Sequence, residues 1–439
     1  MEAPQPGRAE PKLMHAPVSL QEPTSITLQT QDKLWNAQQL DSDDPFPIHI
    51  DGDTTLAVTP GGSISMKGTM ILPSLRDTGR VSYHSLSLIS PGGTIHLEAT
   101  RGDLHLGDGS LIDVHGMTVR DAQPLYPGGP FGSSIHDGGR VTLTAPVGSL
   151  VFGNDLENDF GSVLVDMSGS QVVTDYVPNC DGGFWGIQRA GQAGSLDLTA
   201  AQDFDLSNLW VMQESELDSL PGGSLALTQP NRVLSFDQEL IDFLKLNPGC
   251  DSLSLESRSG IDFSPASSID FHFQGRLSLD APEIVFHGQV GGSSIQLSAS
   301  LLHILNSNDK FSLSTPLSQK ASPAASYDEG QSGVITLASE GMMDIQGSVA
   351  FTHFSEVSLQ AGQDIRLSDE QYTYKSGTGA QIQELWTGSI ESAGPLLNLE
   401  AGRIYPTTRA HFSFLSGSKI ETSRSLRRAP PGPMVSAGG

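Results

Sequence analysis

The sequence predicts an all-β fold, a single right-handed parallel β-helix with loop insertions. Three observations predict it: a five-residue word recurs along the chain, a second apolar pair follows most copies, and the composition disfavours helices. The word is apolar-x-Leu-x-Ala, usually introduced by Gly. It stands at Ile95–Ala99, Val141–Ala145, Leu196–Ala200, Leu277–Ala281, Ile295–Ala299, Val357–Ala361 and Leu397–Ala401. Weaker copies at Leu225/Leu227, Leu253/Leu255 and Ile335/Leu337 keep the apolar pair and lose the Ala. Strict alternation of apolar and polar residues is the period of a strand with one buried face. The second pair follows a short polar turn, as in Leu104/Leu106, Leu150/Phe152, Phe204/Leu206, Ile284/Phe286, Met343/Ile345 and Ile365/Leu367. The chain holds 48 Gly and only 17% charged residues, which is poor helix-forming material.

A unit of strand, turn, strand and Gly-rich return cannot bury its own apolar stripe, so coils must stack to share one core. The Ala slot suits a corner where a larger side chain would clash. β-Sandwich strands alternate too, but they do not share one word. The word's Leu recurs at gaps of 18 to 55 residues. The short gaps read as one coil, and the long ones as two coils or as one coil with an insertion. The expectation is about 18–20 coils and a rod of about 90 Å at strand spacing.

Taken in order, residues 1–45 form a loose Pro-, Gln- and Asp-rich extension with at most one strand, Ser25–Thr30. Residues 46–424 form the shaft, and 425–439 form a basic, Pro-rich tail that reads as the start of a further coil. Three segments interrupt the coils as expected loops: Asp121–Gly139, Thr174–Gly194 and Asn306–Gly333. Asp237–Leu246 has helical apolar spacing and reads as a short flanking helix.

A net charge of −26 sets what the shaft can meet. It repels phosphate backbones and anionic membranes, so no nucleic-acid partner is expected. No apolar run reaches the 18 or so residues of a transmembrane helix. Two cysteines give no disulfide framework. Cys180 and Cys250 lie about three coils apart, beyond the ~7 Å Cα reach of a disulfide, so free thiols are favoured.

The Gly-rich coil words, with Leu397–Ala401 running on through Gly-Arg-Ile-Tyr405-Pro-Thr-Thr408, resemble the filamentous haemagglutinin-like exoproteins of Gram-negative bacteria. The resemblance covers most of residues 61–439. It implies a secreted or surface-displayed adhesin shaft, exported by a dedicated outer-membrane transporter and meeting a host-cell receptor or glycan. The family's N-terminal secretion domain has no counterpart in the sequence. The expectation is therefore a fragment of a larger exoprotein or a broken reading frame; a separate alternative is a stalk for a toxin domain encoded downstream.

Neither catalysis nor a cofactor is expected. A carbohydrate-active β-helix is the alternative, because outward Asp or Glu on adjacent coils sit about 5 Å apart, within the range of glycoside hydrolysis. The outward acids Glu98, Asp197, Asp280 and Glu400 come from different coils without a supporting local word. Asp113-Val-His115-Gly116 is the nearest to a catalytic word. No His-Glu-x-x-His or Gly-rich calcium repeat is present, so no metal site is expected. The candidate binding residues are Arg101, Gly102 and Asp103, a turn between two strands whose two charges are expected to point outward, and Trp185. Trp185 shares an aromatic insertion with Phe184 and Tyr176, suited to stacking on a sugar ring or to capping the core. The basic stretch Arg424–Arg428 is a candidate contact for acidic groups.

Overall fold

The structure is a computed structural model. It describes residues 23–29, 55–68, 80–83, 86–124, 131–153, 162–178, 184–217, 220–287, 293–307, 332–368, 372–375, 382–407 and 410–425. Among these, every regular element but one helix is a strand, and no helix is long and apolar enough to cross a membrane. Thirteen strands pair side by side in one parallel sheet that runs from Ser25–Gln29 to Lys419–Arg424.

One coil shows the plan. Thr94–Ala99 lies on the first face, Asp103–Leu106 on the second and Leu111–Asp113 on the third, and the chain returns to the first at Arg140–Ala145. The second face stacks Arg80–Tyr83, Asp103–Leu106, Leu150–Phe152 and Phe204–Asp205. The third stacks Thr55–Ala57, Ser87–Ile89, Leu111–Asp113, Val163–Asp166 and Leu209–Met212. Three parallel sheets around one core make a parallel β-helix, as the repeated word predicts.

The word's inward residues form ladders. Ile64, Ile95, Val141, Leu196, Leu225, Leu253 and Leu277 are successive register partners, and all are buried. Burying each such side chain is worth about 1.5–3 kcal/mol. The Ala slots at 99, 145, 200, 281, 299, 361 and 401 are buried as well. At two corners that precede first-face strands the backbones come closer than any side chain permits. A Cβ on Gly139 would sit 2.0 Å from the Gly93 carbonyl oxygen, and one on Gly194 would sit 2.0 Å from that of Gly139. Outward, cross-coil ion pairs tie neighbouring coils: Lys67 to Glu98, Arg140 to Asp197, Arg366 to Asp344 and Arg403 to Asp364.

Several expectations are corrected. Arg140–Ala145 pairs with both Thr94–Ala99 and Ser195–Ala200, so the 46- and 55-residue gaps are each a single coil. The rod therefore has twelve strands in its first-face ladder, about 60 Å at strand spacing. Two insertions expected as loops are antiparallel hairpins, Met117–Pro124 with Phe131–His136 and Val173–Pro178 with Phe184–Arg189. Most of the third, residues 308–331, lies outside the described residues. The strand expected at Ser25–Thr30 is present as Ser25–Gln29, but it pairs with Ser63–Gly68 as part of the sheet and is not part of a loose extension.

The word also occupies two different faces. The Leu277 copy continues the first face and pairs onward with Leu302, whereas Ile295 pairs with Ile269 and then Ile335 on the third. The 18-residue gap between them is therefore less than a coil. The third face itself is interrupted earlier, by the helix Gln238–Leu246. Asp237 caps it by accepting from the Leu240 N–H, and Leu240, Ile241, Phe243 and Leu244 are buried. At its far end Asn247 Oδ1 accepts the Val211 N–H at 2.6 Å. The helix thus takes the third-face position after Leu209–Met212, and strands resume there with Ile269.

The second face breaks at the same level. Phe204–Asp205 ends one sheet, and Leu234–Phe236 begins another without pairing to it. Side chains bridge the seam: Glu239 accepts the Leu206 N–H at 2.8 Å, Arg232 meets Asp203 at 2.9 Å, and Gln229 donates to the Gln202 carbonyl. Beyond it the core is aromatic, with Phe236, Phe263 and Phe286 stacked in register.

Candidate functional site

Two third-face strands end in the same short word, Ile112-Asp-Val-His-Gly116 and Val165-Asp-Met-Ser-Gly169. Alternation sends Ile112 and Val165 inward and leaves Asp113 and Asp166 outward, one above the other as register partners. Each carboxylate folds back on the turn that follows. Asp113 Oδ1 accepts the His115 backbone N–H at 3.1 Å and its ring Nδ1–H at 2.5 Å. Asp166 Oδ1 accepts the Ser168 backbone N–H at 3.1 Å and its hydroxyl at 2.7 Å. Such bonds are what make Asp a turn former.

Potential ligand atoms of Asp113, His115 and Asp166 lie within 4.8 Å of one another. The turn bond of Asp113 to His115 and the register pairing of Asp113 with Asp166 account for that closeness. The hydrogen bond to Asp113 raises the His115 pKa above its ordinary value; burial opposes the shift, and the charges of Asp113 and Asp166 add to it. Among the described residues neither Oδ2 has a hydrogen-bond partner, so both remain available as acceptors.

The next strand turns this pair into a groove. Leu111, Leu164 and Trp210 form one outward ladder, and Asp113, Asp166 and Met212 the neighbouring one. Trp210 and Met212 are each 50% exposed. The C-terminal turn of the helix, Leu246 to Pro248, borders them, and the space between holds about 910 Å³. Glu214 and Glu216 add two carboxylates, Glu216 accepting the Val172 N–H at 2.8 Å. No Lys or Arg lines the groove among the described residues.

The candidates from sequence fall elsewhere. Arg101 is exposed, but Asp103 is buried and its Oδ1 accepts the Ser149 N–H of the next coil at 2.8 Å. The expected outward carboxylate therefore serves the stack, and Gly102 is buried in the turn. Trp185 is 66% exposed on the second hairpin, paired with Val177. The side chains of Phe184 and Tyr176 lie outside the described residues. So do Cys180 and residues 426–428 of the basic stretch; Arg424 ends the last strand. Cys250 is a free thiol. Of the outward acids, Glu98 and Asp197 hold cationic partners and Asp280 accepts the Ser307 N–H.

Fold and site together define a parallel β-helix with an acidic, aromatic-walled groove across three coils of its third face. No family model, curated protein or solved structure matches the chain. Sequence reasoning reached Asp113 and His115 but missed Asp166, Trp210 and Met212. Asp166 was legible, because Val165–Gly169 repeats the spelling of Ile112–Gly116. Trp210 follows no word, and only the strand register puts it beside the carboxylates.

Proposed function

We propose that the chain is the shaft of a secreted or surface-displayed adhesin, which attaches a cell to a host receptor or glycan without catalysis. The observation behind this reading is the division of labour along the chain. An uninterrupted first-face ladder of twelve strands, from Ser25–Gln29 to Arg403–Pro406, supplies a stiff, dry core, while hairpins and grooves outside it carry exposed apolar groups such as Trp185, Ile187, Trp210 and Met212. Contiguous exposed apolar surface marks contact sites, and these four residues fall in two pairs, each on one face of one strand. Display of such a shaft requires an outer-membrane transporter as partner of the full-length protein.

Asp113 and Asp166 favour a second reading, a carbohydrate-active enzyme, since they are carboxylates from adjacent coils facing one groove. A glycosidase needs one of its two carboxyls to keep its proton as the acid. Here Asp113 Oδ1 is already engaged by the backbone N–H and the ring of His115, and Asp166 Oδ1 by Ser168. The test is retention of the purified chain on epithelial cells and a glycan panel, with sugar release assayed in the same wells. Retention without release is expected. Release of reducing or unsaturated ends, lost in Asp166→Asn, would establish the enzyme instead.

A further inference from the structure

We infer that the third-face groove is a binding site for a cationic segment of a partner polypeptide, an Arg- or Lys-bearing stretch that lays one side chain on Trp210. The inference rests on the attachment reading only for the purpose of binding; the chemistry of the ligand comes from the groove itself. Four carboxylates line it, Asp113, Asp166, Glu214 and Glu216, and no Lys or Arg does among the described residues. The floor therefore carries excess negative charge even when His115 is protonated.

Three further features point to the same ligand. Asp113 and Asp166 spend Oδ1 on their own turns and keep Oδ2 open, side by side on adjacent coils. Two aligned acceptors suit the forked donors of a guanidinium. Trp210 stands one diagonal step from Asp166, because its register partner is Leu164. Diagonal neighbours are within reach of an aromatic side chain. A cation held by the carboxylate can then rest on the indole face, which attracts it through the ring quadrupole. Finally, the C-terminal end of the helix Gln238–Leu246 borders the groove, and a helix favours positive charge at that end. Met212 and Leu246, both exposed, offer apolar surface to the methylene stem of Arg or Lys.

The experiment is a titration of the full chain with a hexa-arginine peptide in EDTA buffer, beside hexa-glutamate and a neutral chitin hexasaccharide. Trp210→Ala is expected to weaken hexa-arginine by roughly tenfold, the scale of a partly desolvated cation–π contact. Asp166→Asn keeps an Oδ1 for the Ser168 turn and removes the charge, so it should weaken the same peptide with the fold intact. Raising the salt should weaken the wild type more than Asp166→Asn. Unchanged affinity in both variants would mean that the peptide meets only the diffuse acidic surface, and would overturn the inference. Binding of the hexasaccharide but not of hexa-arginine would overturn it too, while leaving attachment standing. Hexa-arginine held through Trp210 by a chain that no cell or glycan retains would keep the groove and refute the adhesin.

Discussion

A close backbone approach in the stack offers a sharp test of how the coils are held together. In Gly139→Ala, the new methyl would lie 2.0 Å from the Gly93 carbonyl oxygen and 2.9 Å from its carbon and nitrogen. All three are backbone atoms, so no side chain can swing aside. Relief requires the two coils to part by more than an ångström. That would break the ladder bond in which the Arg140 N–H donates to Gly93 at 2.9 Å, and strain the next, from Ser195 to Gly139 at 3.0 Å. Overpacking costs about 1–3 kcal/mol, and each lost bond adds about 1 kcal/mol. The expected destabilisation is therefore about 2–4 kcal/mol in total. Urea unfolding followed by far-ultraviolet circular dichroism measures it, with Gly341→Ala as the control. There the nearest atom stands at 3.1 Å, and the methyl is expected to cost far less. Equal midpoints for wild type and Gly139→Ala would refute the claim that the corner has no room for a side chain.

Two further outcomes follow from titrating groups. The His115 pKa is raised in the folded chain, first by its hydrogen bond to Asp113, so the pair stabilises the fold fully below the ordinary histidine value near 6.5. That contribution is lost as pH rises through the raised value. The melting-temperature gap between wild type and His115→Gln should thus be wide near pH 5.5 and narrow near pH 8.5; a gap that widens with pH contradicts the assignment. Burial pushes the Cys250 thiol up to about 12. In a Cys180→Ser background a disulfide reagent should leave the native chain unlabelled at neutral pH and label it fully in urea, and rapid native labelling would show that Cys250 is accessible.

Much of the fold was legible because a ladder needs local alternation, and alternation is spelled in five residues. The second strands at Leu104, Leu150, Ile284, Met343 and Ile365 lie where the polar turns place them. Coil count was not legible, since a hairpin inserted in one coil lengthens a gap as much as another coil would. Nor was the change of face, because the word records only a buried strand ending at a small corner residue. Ile295–Ala299 and Leu277–Ala281 satisfy that equally from two faces. The site was half legible for the same reason: Asp113 and His115 lie within one turn, while Trp210 joins them only through pairing across two coils.

The level at which the helix enters has a mechanical consequence. There the second-face ladder stops at Phe204–Asp205 and the third-face ladder at Leu209–Met212, leaving the first-face sheet as the one ladder that runs through among the described residues. In a stack where each coil feels only its neighbours, strength is set by the weakest junction. Pulled from its ends, the rod should yield first at this plane, as two blocks that tear apart while each stays coiled. The groove, walled by strands on one side and by the helix end on the other, straddles that plane. A ligand seated in it would act as a rivet across the fracture, so load and occupancy would each report on the other.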